Sequence, residues 1–229
     1  MTDIIIKKLS DSKGARWTAL LIVSFTMMMG YFLTDVMSPL ENMLETSCAQ
    51  GGMGWTSSEY GFFSGSYGII NVYLFMLFFG GIILDKMGIR FTGSMASSLM
   101  VIGAFIKFYA IAYISPEGTT YVNLPMFGLD HVMVKNQMLL ASLGFSIFGV
   151  GCEITGITVS KIITKWFTGH ELALAMGIQV ALARLGTAGA LSISVPIAKS
   201  FSLSTPILFG ASMLCIGLLA FFTYCIMDK

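Results

Sequence analysis

Residues 137–163, QMLLASLGFSIFGVGCEITGITVSKII, decide the fold class of this chain. Only Glu153 and Lys161 are charged in this stretch, and its other side chains are apolar, small or uncharged. The stretch exceeds the roughly 20 residues that a helix needs to cross about 30 Å of hydrocarbon. It also lacks the strict apolar–polar alternation of a membrane β-barrel strand. It therefore predicts a transmembrane helix with an acidic side chain near its middle.

The rest of the chain has the same character. Of its 229 residues, 55% are hydrophobic and 11% are charged, and the mean hydropathy is +0.82. Soluble globular proteins carry about 25% charged residues, so this composition indicates a polytopic membrane protein. The apolar runs of spanning length are residues 17–37, 58–84, 91–114, 137–163, 171–197 and 206–226. We predict an all-α integral membrane fold in which these six transmembrane helices form one bundle over residues 17–229, preceded by a cytoplasmic segment over residues 1–16.

The charges outside the predicted spans indicate the orientation, because lysine and arginine are retained on the cytoplasmic side of a membrane. If the spans alternate, most basic side chains outside them fall on one side, and only Lys135 and Lys199 fall on the other. Both termini are therefore expected in the cytoplasm. The net charge of +1 identifies no partner, and we expect a lipid bilayer but no nucleic acid. Four cysteines without a CxxC pair predict neither a disulfide framework nor a metal site, and no cofactor is expected.

Glu153 and Arg184 are the charges that matter most, since a charge near the bilayer centre costs at least a few kcal/mol. Both lie in stripes of small residues, which let membrane helices approach closely. The stripes are Ser146, Gly149, Glu153, Gly156 and Ser160 in the fourth span, and Gly177, Ala181, Arg184 and Ala188 in the fifth. A short loop joins these spans, so we expect antiparallel neighbours whose charges, at matching depth, reach each other or a ligand between them. The alternatives are a purely structural ion pair and a site that binds a polar substrate or carries a proton.

Other polar side chains point to the same interior. Tyr31 and Asp35 share a face of the first span, and Tyr67 and Asn71 share a face of the second. We include these four residues in the candidate substrate site. The alternatives are interfacial anchoring or plain packing for the tyrosines and a place in the headgroup region for Asp35. Lys107 in the third span is expected to snorkel to the nearer membrane surface.

The segment GGIILDKMGIR, residues 80–90, carries the most specific motif of the chain. Its Gly81, Asp85, Gly88 and Arg90 resemble the signature of the major facilitator superfamily between helices 2 and 3, although Ile89 stands where the pattern has a basic residue. The resemblance implies that this segment gates the cytoplasmic side. An aspartate at a helix end can cap a facing helix or pair with an arginine. The alternative is a tight basic turn that sets the topology.

A narrower resemblance connects the chain to the lysosomal dipeptide transporter branch of that superfamily and its bacterial relatives. The motifs that carry it are Tyr31-Phe32 with Asp35 and Pro39, Phe79-Gly80-Gly81 with Asp85 and Gly88-Ile89-Arg90, Gly149-Val150-Gly151-Cys152-Glu153, Trp166-Phe167-Thr168-Gly169-His170-Glu171-Leu172, and Gly177-Ile178-Gln179 with Ala183-Arg184-Leu185-Gly186. It implies a site for short peptides, in which Glu153 suits an ammonium terminus and Arg184 a carboxylate. It further implies a multi-pass protein of the bacterial inner, or plasma, membrane.

Superfamily members have twelve helices in two six-helix halves, so the resemblance implies that this chain is an N-terminal half. We expect a second six-helix half as a partner, either from the same protein or from another copy. The predicted function is secondary active or facilitative transport of a small polar solute by alternating access. Protons are a further candidate partner, with Glu153 or Asp35 as the titrating group.

Two other functions are alternatives to transport. One is a non-transporting membrane scaffold, or half-subunit, in which Glu153 and Arg184 form only a structural pair. The other is an intramembrane serine protease, which needs a serine next to a histidine base. The sequence contains only His131 and His170, and they fall in predicted loops on opposite sides of the membrane. We therefore expect no enzyme.

Overall fold

The computed structural model describes residues 12–124 and 129–228, and within these ranges the chain is mainly helical. The helices are α1 (Lys13–Asp35), α2 (Glu41–Glu45), α3 (Ser57–Tyr73), α4 (Met76–Tyr113), α5 (Asn136–Phe167), α6 (Leu172–Ser200) and α7 (Thr205–Met227). The strands β1 (Thr119–Leu124) and β2 (Leu129–Lys135) lie between α4 and α5. Most of the predicted N-terminal segment 1–16 lies outside the described residues.

Five helical segments of the described chain are long and apolar enough to cross a membrane. They are Lys13–Glu45, Met76–Tyr113, Asn136–Phe167, Leu172–Ser200 and Thr205–Met227. Their length and composition support a helical, multi-pass integral membrane protein. The predicted count of six separate spans is not confirmed.

The difference in count arises in the second and third predicted spans. Residues 58–84 do not form one helix, because α3 ends at Tyr73 and α4 begins at Met76. Between them Phe75 has a left-handed backbone with φ 50°, and neither glycine nor proline marks this break in the sequence. The helix α4 then runs on past Gly88, whose backbone is locally non-helical with φ 81°. Glycine adopts this conformation without the steric cost of a side chain, so Gly88 makes the bend that separates the predicted second and third spans.

One element of the described chain is not helical, since β1 and β2 form a short antiparallel hairpin between α4 and α5. The hairpin is attached to the start of α3. Glu59 forms the capping box with Thr56, and its other carboxylate oxygen accepts a hydrogen bond from the Lys135 amide at 2.7 Å. We call this side of the bundle the hairpin end, and the opposite side, with the bend at Gly88, the Asp85 end.

Helix α5 lies at the centre of the bundle, against α3 and α4. Its glycines make this close packing possible. A Cβ atom at Gly149 would overlap the backbone oxygen of Tyr67, and one at Gly144 would lie 2.8 Å from the backbone oxygen of Gly103. Helix α6 packs instead on α1, where Gly186 meets the backbone of Met28.

The expectation that the fourth and fifth spans are close neighbours is therefore wrong, since α5 and α6 share few contacts. The predicted stripe on α6 does not face α5 either. Gly177, Ala181, Arg184 and Ala188 are all exposed in this chain. The stripe on α5 is divided: Ser146 and Gly149 are buried against α3, whereas Ser160 is exposed. Close approach through small residues is confirmed, but with other partners than expected.

Candidate substrate site

A cavity of about 150 Å³ lies between α1, α3 and α5 towards the hairpin end. Asp35 from α1 and Tyr67 from α3 both line it, so the fold brings these two predicted residues to one place. Ser38, Ser64 and Phe145 complete much of the wall. The cavity therefore combines a carboxylate, hydroxyl groups and aromatic rings, which suits a small polar ligand.

Glu153 is connected to this cavity through Tyr67. The Tyr67 hydroxyl donates a hydrogen bond to Glu153 Oε1 at 2.8 Å, and the Glu153 side chain is half-buried. The Tyr67 ring is held by Phe145 and Phe148 of α5, with ring centroids 5.3 and 6.4 Å away. Glu153 thus has a neutral hydrogen-bond donor beside it rather than a cation.

Arg184 lies on the exposed side of α6 and points over an aromatic ring of α1. Its guanidinium carbon is 5.5 Å from the centroid of the Tyr31 ring, which is a cation–π contact. Within residues 12–124 and 129–228, no carboxylate forms an ion pair with Arg184. The predicted direct pairing of Glu153 with Arg184 is therefore wrong, because α6 packs on α1 while α5 packs on α3 and α4. The alternative of a ligand between the two charges stays a prediction.

Thr187 is a part of the site that the sequence reading missed. Its hydroxyl donates a hydrogen bond to Asp35 Oδ2 at 2.7 Å, which ties α6 to the end of α1. Thr187 lies three residues after Arg184, on the same side of the helix. That spacing is the signal in the sequence that points to it.

Asn71 and Lys107 are the remaining polar side chains of the interior that the sequence analysis singled out. The side-chain nitrogen and oxygen of Asn71 are buried without a hydrogen-bond partner, one turn from Tyr67 and just before the break at Phe75. Its predicted role in substrate binding stays a prediction. The expectation that Lys107 snorkels is wrong, since its side chain is fully buried and Nζ donates to the backbone oxygen of Leu33 at 2.7 Å.

The predicted gating segment lies at the Asp85 end. Asp85 forms an ion pair with Lys161 of α5 at 2.6 Å, rather than with an arginine or a helix N-terminus as expected. Arg90 is exposed and forms no ion pair with any described carboxylate. Close helix approach occurs at Gly80, where a Cβ would lie 2.6 Å from the Ile154 side chain, whereas nothing lies within 4 Å of such an atom at Gly81. The gating roles of Gly81, Asp85, Gly88 and Arg90 stay predictions.

A second charged contact borders the same region. Asp228 accepts hydrogen bonds from Lys165 at 2.7 Å, from the Trp166 indole at 3.1 Å and from the Tyr224 hydroxyl at 3.2 Å. Asp85, Arg90, Lys161, Lys165 and Asp228 together line a cavity of about 300 Å³. The Asp85 end therefore has paired charges, in contrast to Glu153 and Arg184.

Comparisons with known proteins support the resemblance predicted from the motifs. The chain is 31% identical to the lysosomal dipeptide transporter MFSD1 of Danio rerio over 113 residues, which are 49% of this chain and 20% of that protein. It is 25% identical to the lysosomal dipeptide transporter MFSD1 of Homo sapiens over 173 residues, which are 75% of this chain and 31% of that protein. The chain thus spans a third or less of the length of these relatives.

Two further comparisons found nothing: no protein-family profile and no solved structure matches the chain. The resemblance to the major facilitator superfamily is confirmed by the similarity to these transporters. The relatives are named as transporters and not as enzymes.

Proposed function

We propose that this chain is part of a membrane transporter that moves small zwitterions, with dipeptides as the first candidates, by alternating access. The observation that carries the proposal is that Glu153 and Arg184 lie within membrane spans and neither forms an ion pair with another described residue. A charge in a membrane protein interior is costly, and it usually faces a partner or a water-filled path. A zwitterionic ligand supplies the missing charges to both.

The contacts around these charges support a binding role. Tyr67 holds Glu153 by one hydrogen bond and lines the cavity with Asp35. The Arg184 guanidinium lies over the Tyr31 ring. Thr187, which is also in α6, donates a hydrogen bond to Asp35. Each charge is therefore held by an aromatic residue of a neighbouring helix, Glu153 by Tyr67 of α3 and Arg184 by Tyr31 of α1. In this proposal Glu153 receives the ammonium end of a dipeptide and Arg184 its carboxylate end.

Modified dipeptides test each end separately. The protein, expressed from its complete reading frame and reconstituted into liposomes, is titrated with dialanine, N-acetyl-dialanine and dialanine amide. We expect each modified peptide to bind at least about tenfold more weakly than dialanine, which corresponds to about 1.4 kcal/mol. The Glu153→Gln variant is expected to lose its preference for the free ammonium only. The Arg184→Ala variant is expected to lose its preference for the free carboxylate only.

The matched control is Lys199→Ala, which removes another exposed cation from the same helix. It should leave the affinities for all three peptides unchanged. Equal binding of the three peptides by the unaltered protein contradicts the zwitterion proposal, as does a loss of both preferences in either variant.

Alternating access requires a second unit, because the exposed face of α6 with Arg184 is otherwise open to lipid. We propose a second six-helix half, from the same protein or another copy, opposite this face. The ion pair of Asp85 with Lys161 lies at the end where the gate is proposed. Chemical cross-linking from a cysteine at Ala181, followed by mass spectrometry, tests the second half: the expected products join α6 to another apolar helical segment.

We further propose that a proton gradient drives the transport, with Glu153 or Asp35 as the titrating group. Uptake of dialanine is compared with and without a pH gradient across the liposome membrane. An increase that disappears in Glu153→Gln or in Asp35→Asn identifies the titrating group, and an unchanged rate rules coupling out. The membrane of residence and the cytoplasmic placement of both termini stay predictions, and the curated relatives are named lysosomal.

A further inference from the structure

Lys107 is the buried charge that the proposed site does not use. Its side chain is fully buried inside a membrane span, and no carboxylate of the described residues forms an ion pair with it. Its Nζ donates to the Leu33 backbone oxygen at 2.7 Å and lies 4.6 Å and 5.4 Å from the ring centroids of Phe145 and Phe148. A leucine or methionine would fill this space without the cost of burying an ammonium group. The charge therefore needs a reason.

The hydrogen bond to Leu33 places this charge at the end of α1. Leu33 lies in the last turn of α1, where backbone carbonyls have no amide partner in a following turn. A cation at a helix C-terminus both satisfies such a carbonyl and matches the negative end of the helix dipole. Asp35 is the last residue of the same helix and lines the cavity. Lys107 thus holds the segment that presents the Asp35 carboxylate.

The aromatic contact connects Lys107 to the same cavity from another side. Phe145 lines the cavity, and its ring also makes a cation–π contact with the Lys107 ammonium group. Phe63, which lines the cavity as well, stacks on Phe145 with centroids 4.9 Å apart. One amine therefore contacts both the end of α1 and an aromatic wall, so that its loss affects two sides of the cavity together.

We propose that Lys107 is a positioning residue of the substrate site. It fixes the Asp35 carboxylate and the Phe145 ring in the wall of the cavity that Tyr67 connects to Glu153, which receives the ammonium end of a zwitterionic substrate. The inference rests on the proposed function for the nature of the ligand, but the geometry of the cavity is a separate, measurable property. A merely structural lysine would stabilise the bundle without affecting the affinity of the cavity.

A double-mutant cycle between Lys107 and Asp35 separates these possibilities. Dialanine affinity is measured for the unaltered protein, Lys107→Met, Asp35→Asn and the double variant, each expressed from the complete reading frame. We expect each single variant to bind about tenfold more weakly and the double variant to bind clearly less than about a hundredfold more weakly, because the two losses are partly transmitted through the same carboxylate. Additive losses, or a Lys107→Met variant with unchanged affinity and reduced thermal stability, overturn the proposal.

A second measurement does not depend on any substrate. A cysteine is placed at Ser38 in the cavity wall, and its rate of labelling by a water-soluble maleimide is followed by peptide mass spectrometry, which separates it from the native cysteines. Lys107→Met is expected to change this rate at least fivefold, whereas a cysteine at the exposed Ser160 on the far part of α5 is expected to label at an unchanged rate.

The two measurements distinguish the failure of each idea. If no dipeptide binds the unaltered protein but the labelling at position 38 responds to Lys107→Met, the proposed function fails and the positioning role stands. If labelling does not respond, the positioning role fails. Should Lys107→Met not accumulate in the membrane, Lys107→Arg keeps both the charge and the donor, and its dialanine affinity is expected within threefold of the unaltered protein. A larger loss in that variant also overturns the proposal.

Discussion

Helices α5 and α6 are alike in sequence but differ in the bundle. Both are long and of similar mean hydropathy, and each carries one charge in a stripe of small residues. In the most apolar part of each helix, 72% of the residues are buried in α5 and 22% in α6. Glu153 is consequently half-buried beside Tyr67, whereas Arg184 is exposed over Tyr31. The comparison shows that small residues on a helix permit close packing but do not determine which neighbouring helix packs against them.

The largest expected difference between the two helices lies at their glycines. Gly149→Ala in α5 places a Cβ against the Tyr67 backbone oxygen and is expected to cost about 2–3 kcal/mol, as overpacking of a tight interface does. Gly177→Ala in α6 meets nothing within 4 Å and is expected to be neutral or stabilising by up to about 1 kcal/mol. Thermal unfolding of the two purified variants measures the difference. Equal stabilities would show that α5 is not the tightly packed helix.

A smaller effect is expected at the hydrogen bond that holds Glu153. Tyr67→Phe removes the only hydrogen-bond donor to Glu153 among the described residues and is expected to cost about 1.5–2 kcal/mol, at the lower end for bonds to charged groups because Glu153 is half-buried. The control is Tyr109→Phe in α4, since the exposed Tyr109 hydroxyl makes no hydrogen bond in the described part of the chain. Unfolding in detergent and dialanine affinity are measured for both. A Tyr67→Phe protein that behaves like the control would remove Tyr67 from the site.

The contact of Arg184 with Tyr31 is expected to stabilise the protein less than the hydrogen bond of Tyr67 to Glu153, because the Arg184 guanidinium is exposed. Tyr31→Leu removes the ring under Arg184 and is expected to cost about 0.5–1 kcal/mol through the lost cation–π contact. We expect the affinity for dialanine to fall by a few-fold and the affinity for dialanine amide to change less, since the ring orients the carboxylate-binding group. Isothermal titration of both peptides measures this. Equal losses for the two peptides would contradict the orienting role.

The smallest effect is expected for the ion pair at the Asp85 end. Both side chains are substantially exposed, at 79% for Asp85 and 43% for Lys161, so Asp85→Asn is expected to change stability by less than about 0.5 kcal/mol. Salt should remove even this difference, because exposed charges are screened. If the pair belongs to a gate, the uptake rate changes although the unfolding temperature does not. A large loss of stability would show that the pair is structural.

Much of the fold follows from the sequence, but its exceptions are informative. Apolar length predicted the membrane class, and α3 begins at a capping box of Thr56 and Glu59 whose pattern is present in the sequence. The corresponding motif from Thr168 to Glu171 does not cap α6, which begins at Leu172 without a side-chain hydrogen bond at its N-cap. The break at Phe75 was not predicted either, because no glycine or proline accompanies it. A break without a helix-breaking residue depends on packing.

The structure brings some of the predicted site residues together, and their role in substrate binding stays a prediction. Asp35 and Tyr67 line one cavity, and Tyr67 is hydrogen-bonded to Glu153, a contact that the sequence did not predict. Thr187 and Lys107 were missed as partners, since the first looks like a small helix residue and the second is long enough to reach a membrane surface. Burial and an available backbone carbonyl decided where the Lys107 amine lies.

The sequence by itself determined that this chain is a helical membrane protein with an acidic and a basic residue inside its spans. Transfer into lipid depends on the composition of each segment, so it can be assessed segment by segment. Only the tertiary structure decided that α5 lies between α3 and α4 while α6 lies on α1. Several apolar faces have nearly equal affinity for lipid and for each other, and close backbone contact at particular glycines selects among them.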